Sequence, residues 1–205
     1  MQLRPQASDP SAHPLPFPSV DIMDASPRHP QLILHFPDRA SAAAWLPVHD
    51  RVMGGVSSGG VRWNPGGTAT FAGELSLAFG GGFASARVTL PAPGLREGWG
   101  GVTLRCRGDG RRYSLRLYTD DTPPGVSYRS DFETRGGEWE EFAFPYISFH
   151  PVRRGRPVQG APPLGPERVR QVGILVADGQ AGPFALELEW LRGGAGDHPS
   201  SGKGS

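Results

Sequence analysis

Between residues 31 and 192 apolar and polar side chains alternate in short runs. In Arg-Tyr-Ser-Leu-Arg-Leu-Tyr-Thr (112–119), Tyr113, Leu115, Leu117 and Thr119 fall on one side, and Arg112, Ser114, Arg116 and Tyr118 on the other. A period of two is what a strand with one buried face requires. The same alternation puts Val102, Leu104 and Cys106 on one face of 101–108, and Phe184, Leu186, Leu188 and Trp190 on one face of 183–191. Residues 68–77, 83–90, 138–144 and 171–178 also read as strands. Turn residues separate them: Asn64-Pro65-Gly66-Gly67, Gly108-Asp109-Gly110, Thr122-Pro123-Pro124-Gly125 and Gly136-Gly137. Asp109-Gly110 reads as a hairpin turn, because both residues tolerate positive φ. One short helix is predicted from Asp38 to Leu46, with Asp38 as its N-cap and an alanine run behind it. Many short strands without regular intervening helices predict an all-β fold: a two-sheet antiparallel β-sandwich of jelly-roll type.

Composition sets the boundaries. Residues 1–30 hold seven prolines and little apolar periodicity, so they are expected to form a disordered arm. Residues 193–205 read as a Gly/Ser tail, leaving 31–192 as one sandwich domain. The net charge is +1, from 21 basic and 20 acidic side chains, which speaks against a nucleic-acid partner. The single cysteine, Cys106, allows no internal disulfide and fits a reducing compartment. No apolar run suits a secretory leader or a membrane span, so a cytoplasmic location is expected.

The chemistry-bearing residues cluster around glycines. His49-Asp50-Arg51-Val52-Met53-Gly54-Gly55-Val56-Ser57-Ser58-Gly59-Gly60 contains a G-x-S-x-G pattern centred on Ser57. In a hydrolase that pattern needs a helix after the serine. Here a strand and a turn follow, and only His150 lies downstream within the core. No phosphate loop and no paired-ligand metal motif occurs. Asp50, Asp109 and Asp131 are the candidate ligands for a loop-bound calcium, though their spacing is not diagnostic. No cofactor and no catalytic group is expected.

The glycine-framed residues form an ordered series. It runs Trp45, Asp50-Arg51-Val52-Met53-Gly54-Gly55-Val56-Ser57, Phe71-x-Gly73, Gly81-Gly82-Phe83-Ala84-Ser85-x-Arg87, and Arg107-Gly108-Asp109-Gly110-Arg111-x-Tyr113. Tyr128, Phe132, Glu138-Trp139, Pro145, Phe149, Gly155-Arg156, Gly173 to Asp178 and Gly182-Pro183-Phe184 complete it. This series resembles the complex I intermediate-associated protein family over about 35–191. His49 departs from it, standing where the family commonly has asparagine. The N-terminal arm also lacks the Arg/Ser-rich amphipathic character of a mitochondrial leader, as expected for a prokaryotic-type member.

The resemblance implies a galactose-binding-like jelly roll and a non-catalytic role in assembling respiratory complex I. It therefore implies a protein partner, with respiratory-complex subunits first. A glycan is the alternative, since carbohydrate-binding modules share the fold. The candidate ligand- or partner-binding residues are Asp50, Arg51, Gly54, Gly55, Ser57, Ser85, Arg87, Asp109, Arg111 and Trp139. Asp50-Arg51 either holds its own corner, through Arg87, Arg111 or backbone amides, or meets the partner. Arg105, Arg107, Arg112, Arg116 and Arg129 lie on strands. A shared sheet face would make that face cationic. Trp63, Trp99, Tyr118 and Trp139 are candidate stacking aromatics, whereas Trp45 and Trp190 are read as core.

Overall fold

A computed structural model describes residues 30–49, 57–78, 82–91 and 94–194. Thirteen strands are described there, in two antiparallel sheets. One sheet, sheet A, runs β3 (Ser58–Asn64), β4 (Thr68–Leu75), β13 (Gly182–Gly193), β6 (Gly101–Arg107), β9 (Trp139–Pro145), with β1 (Gln31–His35) also paired to β13. The other, sheet B, runs β11 (Arg156–Pro157), β10 (His150–Arg153), β8 (Val126–Glu133), β7 (Arg112–Thr119), β12 (Val169–Val176), β5 (Ala84–Thr89), β2 (Leu46–His49). The chain is thus the jelly-roll sandwich that the alternation predicts.

The core lies between the sheets. Tyr113, Leu115 and Leu117 from β7 and Ile174 from β12 meet Phe71 from β4, Leu104 from β6 and Leu186 from β13. All are at most 3% exposed. Each such side chain contributes roughly 1.5–3 kcal/mol by leaving water, so the period-two pattern fixes which strand face points inward.

Four local expectations need correction. The helix spans only α1 (Arg39–Ala43): Asp38 Oδ1 accepts from the Ser41 amide at 2.9 Å, but the chain then leaves to pair Leu46 with Arg87 in β2. Five residues cannot hold a longer helix against that ladder. Trp190 is only partly buried, because a bulge between Leu188 and Trp190 hands the next inward position to Leu191. Trp99 is buried instead, at 3% exposure, lying where a Cβ at Gly193 would sit 2.0 Å from its ring. Finally, Asp109-Gly110 closes no hairpin. It carries the chain from β6 in one sheet to β7 in the other, with Gly110 at φ +91°.

Candidate functional site

The inter-sheet corner is built around Asp109 and Arg111. Asp109 Oδ1 accepts from the Arg111 amide at 3.1 Å and from Tyr113 Oη at 3.0 Å; its Oδ2 accepts from the Ala185 amide at 2.8 Å. The Arg111 guanidinium donates to both carboxylate oxygens of Asp178, at 2.9 and 2.7 Å, and to the carbonyls of Pro183 (2.9 Å), Gly182 (3.3 Å) and Gln180. The pair is enclosed, with side chains 9% and 3% exposed. Hydrogen bonds from Arg111 hold the Asp178 carboxyl below its usual range. These groups clamp the β6–β7 corner to the β12–β13 turn.

Ser57 stands at the start of β3 and is fully buried. Its hydroxyl donates to the Ser76 carbonyl at 3.2 Å and accepts from the Ser76 amide at 3.1 Å. A strand follows it, and the hydroxyl points into packing. Asp50, Arg51, Gly54 and Gly55 lie outside the described residues.

Trp139 opens β9 on the outer face of sheet A. The guanidinium carbons of Arg105 and Arg107 lie 5.4 and 5.2 Å from its ring centroid. Each arginine also has carboxylate partners: Arg105 meets Glu141 at 3.3 Å and also Glu189, and Arg107 Nε meets Glu187 at 3.1 Å. This face is charged but internally neutralised.

The outer face of sheet B differs. The five strand arginines of the sequence reading do not share a face: Arg105 and Arg107 belong to sheet A, whereas Arg112, Arg116 and Arg129 belong to sheet B. There they are joined by Arg87. Strand register sets Leu46, Arg87, Gly173, Arg116, Arg129 and His150 side by side in one row across six strands. Leu115 and Leu117 face the core, so Arg116 faces away from it. Yet Arg116 is only 7% exposed. Its Nη1 donates to Ser127 Oγ at 3.0 Å, and its Nε has no hydrogen-bond partner. Arg87 Nε is buried and unpartnered too, with its guanidinium 5.6 Å from the Tyr118 ring.

Gly173 makes room for that contact. A Cβ there would lie 3.2 Å from Tyr118 Cε2, 3.1 Å from the Ala86 carbonyl and 3.4 Å from Arg87 Cβ. On the next row Ser85 donates to the Val48 carbonyl at 3.0 Å. Asp131 accepts from Ser114 at 2.6 Å and lies 3.3 Å from Arg129 Nε. Burial pushes the Arg116 pKa down, and Arg129 adds to the effect. Burial also pushes the Tyr118 phenol up.

Two predicted site residues, Ser85 and Arg87, therefore meet on this face. Asp109 and Arg111 sit together at the corner, Ser57 packs against Ser76, and Trp139 belongs to the opposite sheet. Arg116, one of the strand arginines, Tyr118, one of the candidate stacking aromatics, and Gly173 of the family series join Ser85 and Arg87 there. Their signal lay in the polar half of 112–119: an arginine and a tyrosine two apart on the outward side. Among the described residues no three His, Cys, Asp or Glu side chains gather at one point.

A family model described as Complex I intermediate-associated protein 30 matches residues 34–188. The mitochondrial Complex I intermediate-associated protein 30 of Drosophila melanogaster is 36% identical over 98 residues, covering 44% of this chain and 32% of that protein. The Mus musculus protein of the same name is 33% identical over 94 residues, covering 43% and 28%. The chain thus spans about a third of the length of the relatives it matches. Among solved structures, the family 11 carbohydrate-binding module of cellulase Lic26A-Cel5E of Clostridium thermocellum superposes with a TM-score of 0.59. That alignment covers 82% of this chain and 95% of the module at 12% identity, a likeness of fold alone.

Proposed function

The chain belongs to the complex I intermediate-associated protein 30 family, and from that premise we propose that it is a non-catalytic binding protein assisting assembly or stability of a protein complex, respiratory NADH dehydrogenase first. The family match carries the reading, because it runs from β1 into β13 and so takes in strands of both sheets. The chemistry agrees: Ser57 is buried, and the Asp109 and Arg111 side chains hold the corner. No helix among the described residues is long and apolar enough to cross a membrane. The proposed compartment is the cytoplasm, in keeping with one cysteine.

The test is affinity capture of the tagged chain from its host, with mass spectrometry, beside a deletion strain. The expected result is co-purified NADH dehydrogenase subunits and a stalled assembly intermediate in the deletion. A chain recovered alone, with respiratory complexes intact in the deletion, would end the reading. One observation favours a glycan instead: the partly exposed Tyr118 ring lies among hydrogen-bonding side chains, a setting that suits a sugar. Flat titrations against a glycan panel would remove it.

A further inference from the structure

We infer that the outer face of β5, β12, β7 and β8 is an acceptor for carboxylates presented by an acidic segment of a partner protein, with Arg87 and Arg116 as the groups that receive them. The protein origin of those carboxylates rests on the proposed function. The anion chemistry rests on the geometry alone.

Three observations carry it. First, the row is built at a cost. Arg116 and Arg129 are directly opposite across β7 and β8, and like charges in that position repel. Arg116 has in addition surrendered its water while leaving Nε unbonded. A guanidinium is never deprotonated at physiological pH, so that cost is not relieved by titration. A buried cation with an unbonded Nε and no ion-pair partner among the described residues is a local choice that opposes stability, and such choices mark sites completed from outside.

Second, among the described residues the carboxylates beside the row are committed elsewhere. Asp131 serves Arg129 and Ser114. Asp120, beyond the end of β7, is held by Arg168 at 2.7 Å and Arg170 at 2.6 Å. Arg87 has no carboxylate partner among the described residues. On sheet A, by contrast, Arg105 and Arg107 are both answered.

Third, the row extends across several strands, which suits several anions carried on one chain. Arg87 and Arg116 stand two strands apart, about 10 Å at strand spacing, with side-chain-free Gly173 between them. Side chains along an extended peptide can meet both positions, and Tyr118 beside Arg87 offers an apolar wall for their methylenes.

The experiment uses the full chain and a fluorescent hexaglutamate peptide, read by anisotropy at low and physiological salt. Hexaglutamine and inorganic phosphate are the comparison probes. Saturable binding of hexaglutamate, weakened by salt and absent for hexaglutamine, is expected. Arg87→Met and Arg116→Met should each weaken it about ten- to hundredfold. Arg62→Met removes the same charge from exposed β3 of the other sheet and should change it less than about twofold. Arg116→Met should also melt at or above the parent temperature, since it removes an unsatisfied buried cation.

Equal weakening by all three variants, or a preference for phosphate over the peptide, overturns the inference. So does an Arg116→Met chain that melts several degrees lower, which would make the arginine a structural brace. A chain that binds hexaglutamate on this face but captures no respiratory subunit ends the assembly reading and leaves this one standing. Undisturbed subunit capture by Arg87→Met does the reverse.

Discussion

Replacing Arg111 by methionine tests the corner clamp. The substitution keeps much of the side-chain volume but removes the cation. It strips Asp178, whose side chain is 3% exposed, of both its guanidinium bonds and leaves the carbonyls of Gln180, Gly182 and Pro183 without their donor. Breaking one half of a buried pair costs about 3–5 kcal/mol, because the remaining charge has little water and keeps only backbone donors such as the Gln180 amide at 3.2 Å. Urea unfolding at about pH 7 should show a loss of that size. The pH dependence makes the prediction sharper. In the parent, Arg111 keeps the Asp178 pKa below its usual value, so the pair's stabilisation is complete above the unfolded pKa of about 4 and is lost as pH falls through the folded one. In the variant the stranded carboxylate has a raised pKa, and protonation relieves its penalty. The gap between the two chains should therefore narrow as pH falls toward about 4. Adding Asp178→Leu to Arg111→Met should recover part of the loss. A loss under about 1 kcal/mol, or a gap that does not move with pH, would refute the reasoning.

Three further outcomes follow from the packing. At Gly73 an added Cβ would lie 2.0 Å from the Ser58 carbonyl oxygen, so Gly73→Ala must push β3 off β4; a loss of about 3 kcal/mol, or roughly 6–12 °C in Tm, is expected by calorimetry. Cys106 is 1% exposed, and burial pushes its thiol pKa up to about 12; a disulfide reagent at about pH 8 should label it only after unfolding in guanidinium chloride, and fast labelling of the folded chain would contradict its placement. Asp38→Ala removes the cap of a five-residue helix and should cost about 1 kcal/mol in chemical denaturation, with no change in the sheet signals of circular dichroism.

Strands whose inner face is uniformly apolar were legible from the sequence. For 112–119 the predicted span is the observed β7, and Leu115 and Leu117 face inward as read. Strands whose pattern is interrupted were not. β2 contains Pro47, and the inner face of β8 is interrupted by Ser130, so neither shows clean alternation. A bulge cannot be seen in a period, which is why Trp190 was read one position out of phase. The corner shows a different limit. Asp109-Gly110 has the local chemistry of a hairpin turn, and whether the next strand pairs with the last or crosses to the facing sheet depends on the whole fold. The same holds for Arg111 and Asp178, which meet across 67 positions of sequence. On the candidate face the sequence separates polar from apolar sides, but the row Arg87–Gly173–Arg116–Arg129 exists only once four strands are in register.

The place of β13 in sheet A bears on how the protein is made. A ribosome delivers this strand after every strand it joins, and β13 pairs with β4 along residues 182–188, with β6 along 187–193 and with β1 along 190–193. Hairpins such as β3–β4 and β7–β8 close as soon as they emerge. The middle of sheet A stays empty until β13 follows. During translation β4 and β6 therefore present open edges and their apolar faces to solvent, the condition in which nascent β-proteins are captured by chaperones or by one another. A ribosome paused ahead of Gly182 would hold a chain whose sheet A is two separate pairs, β3–β4 and β6–β9, with no strand joining them.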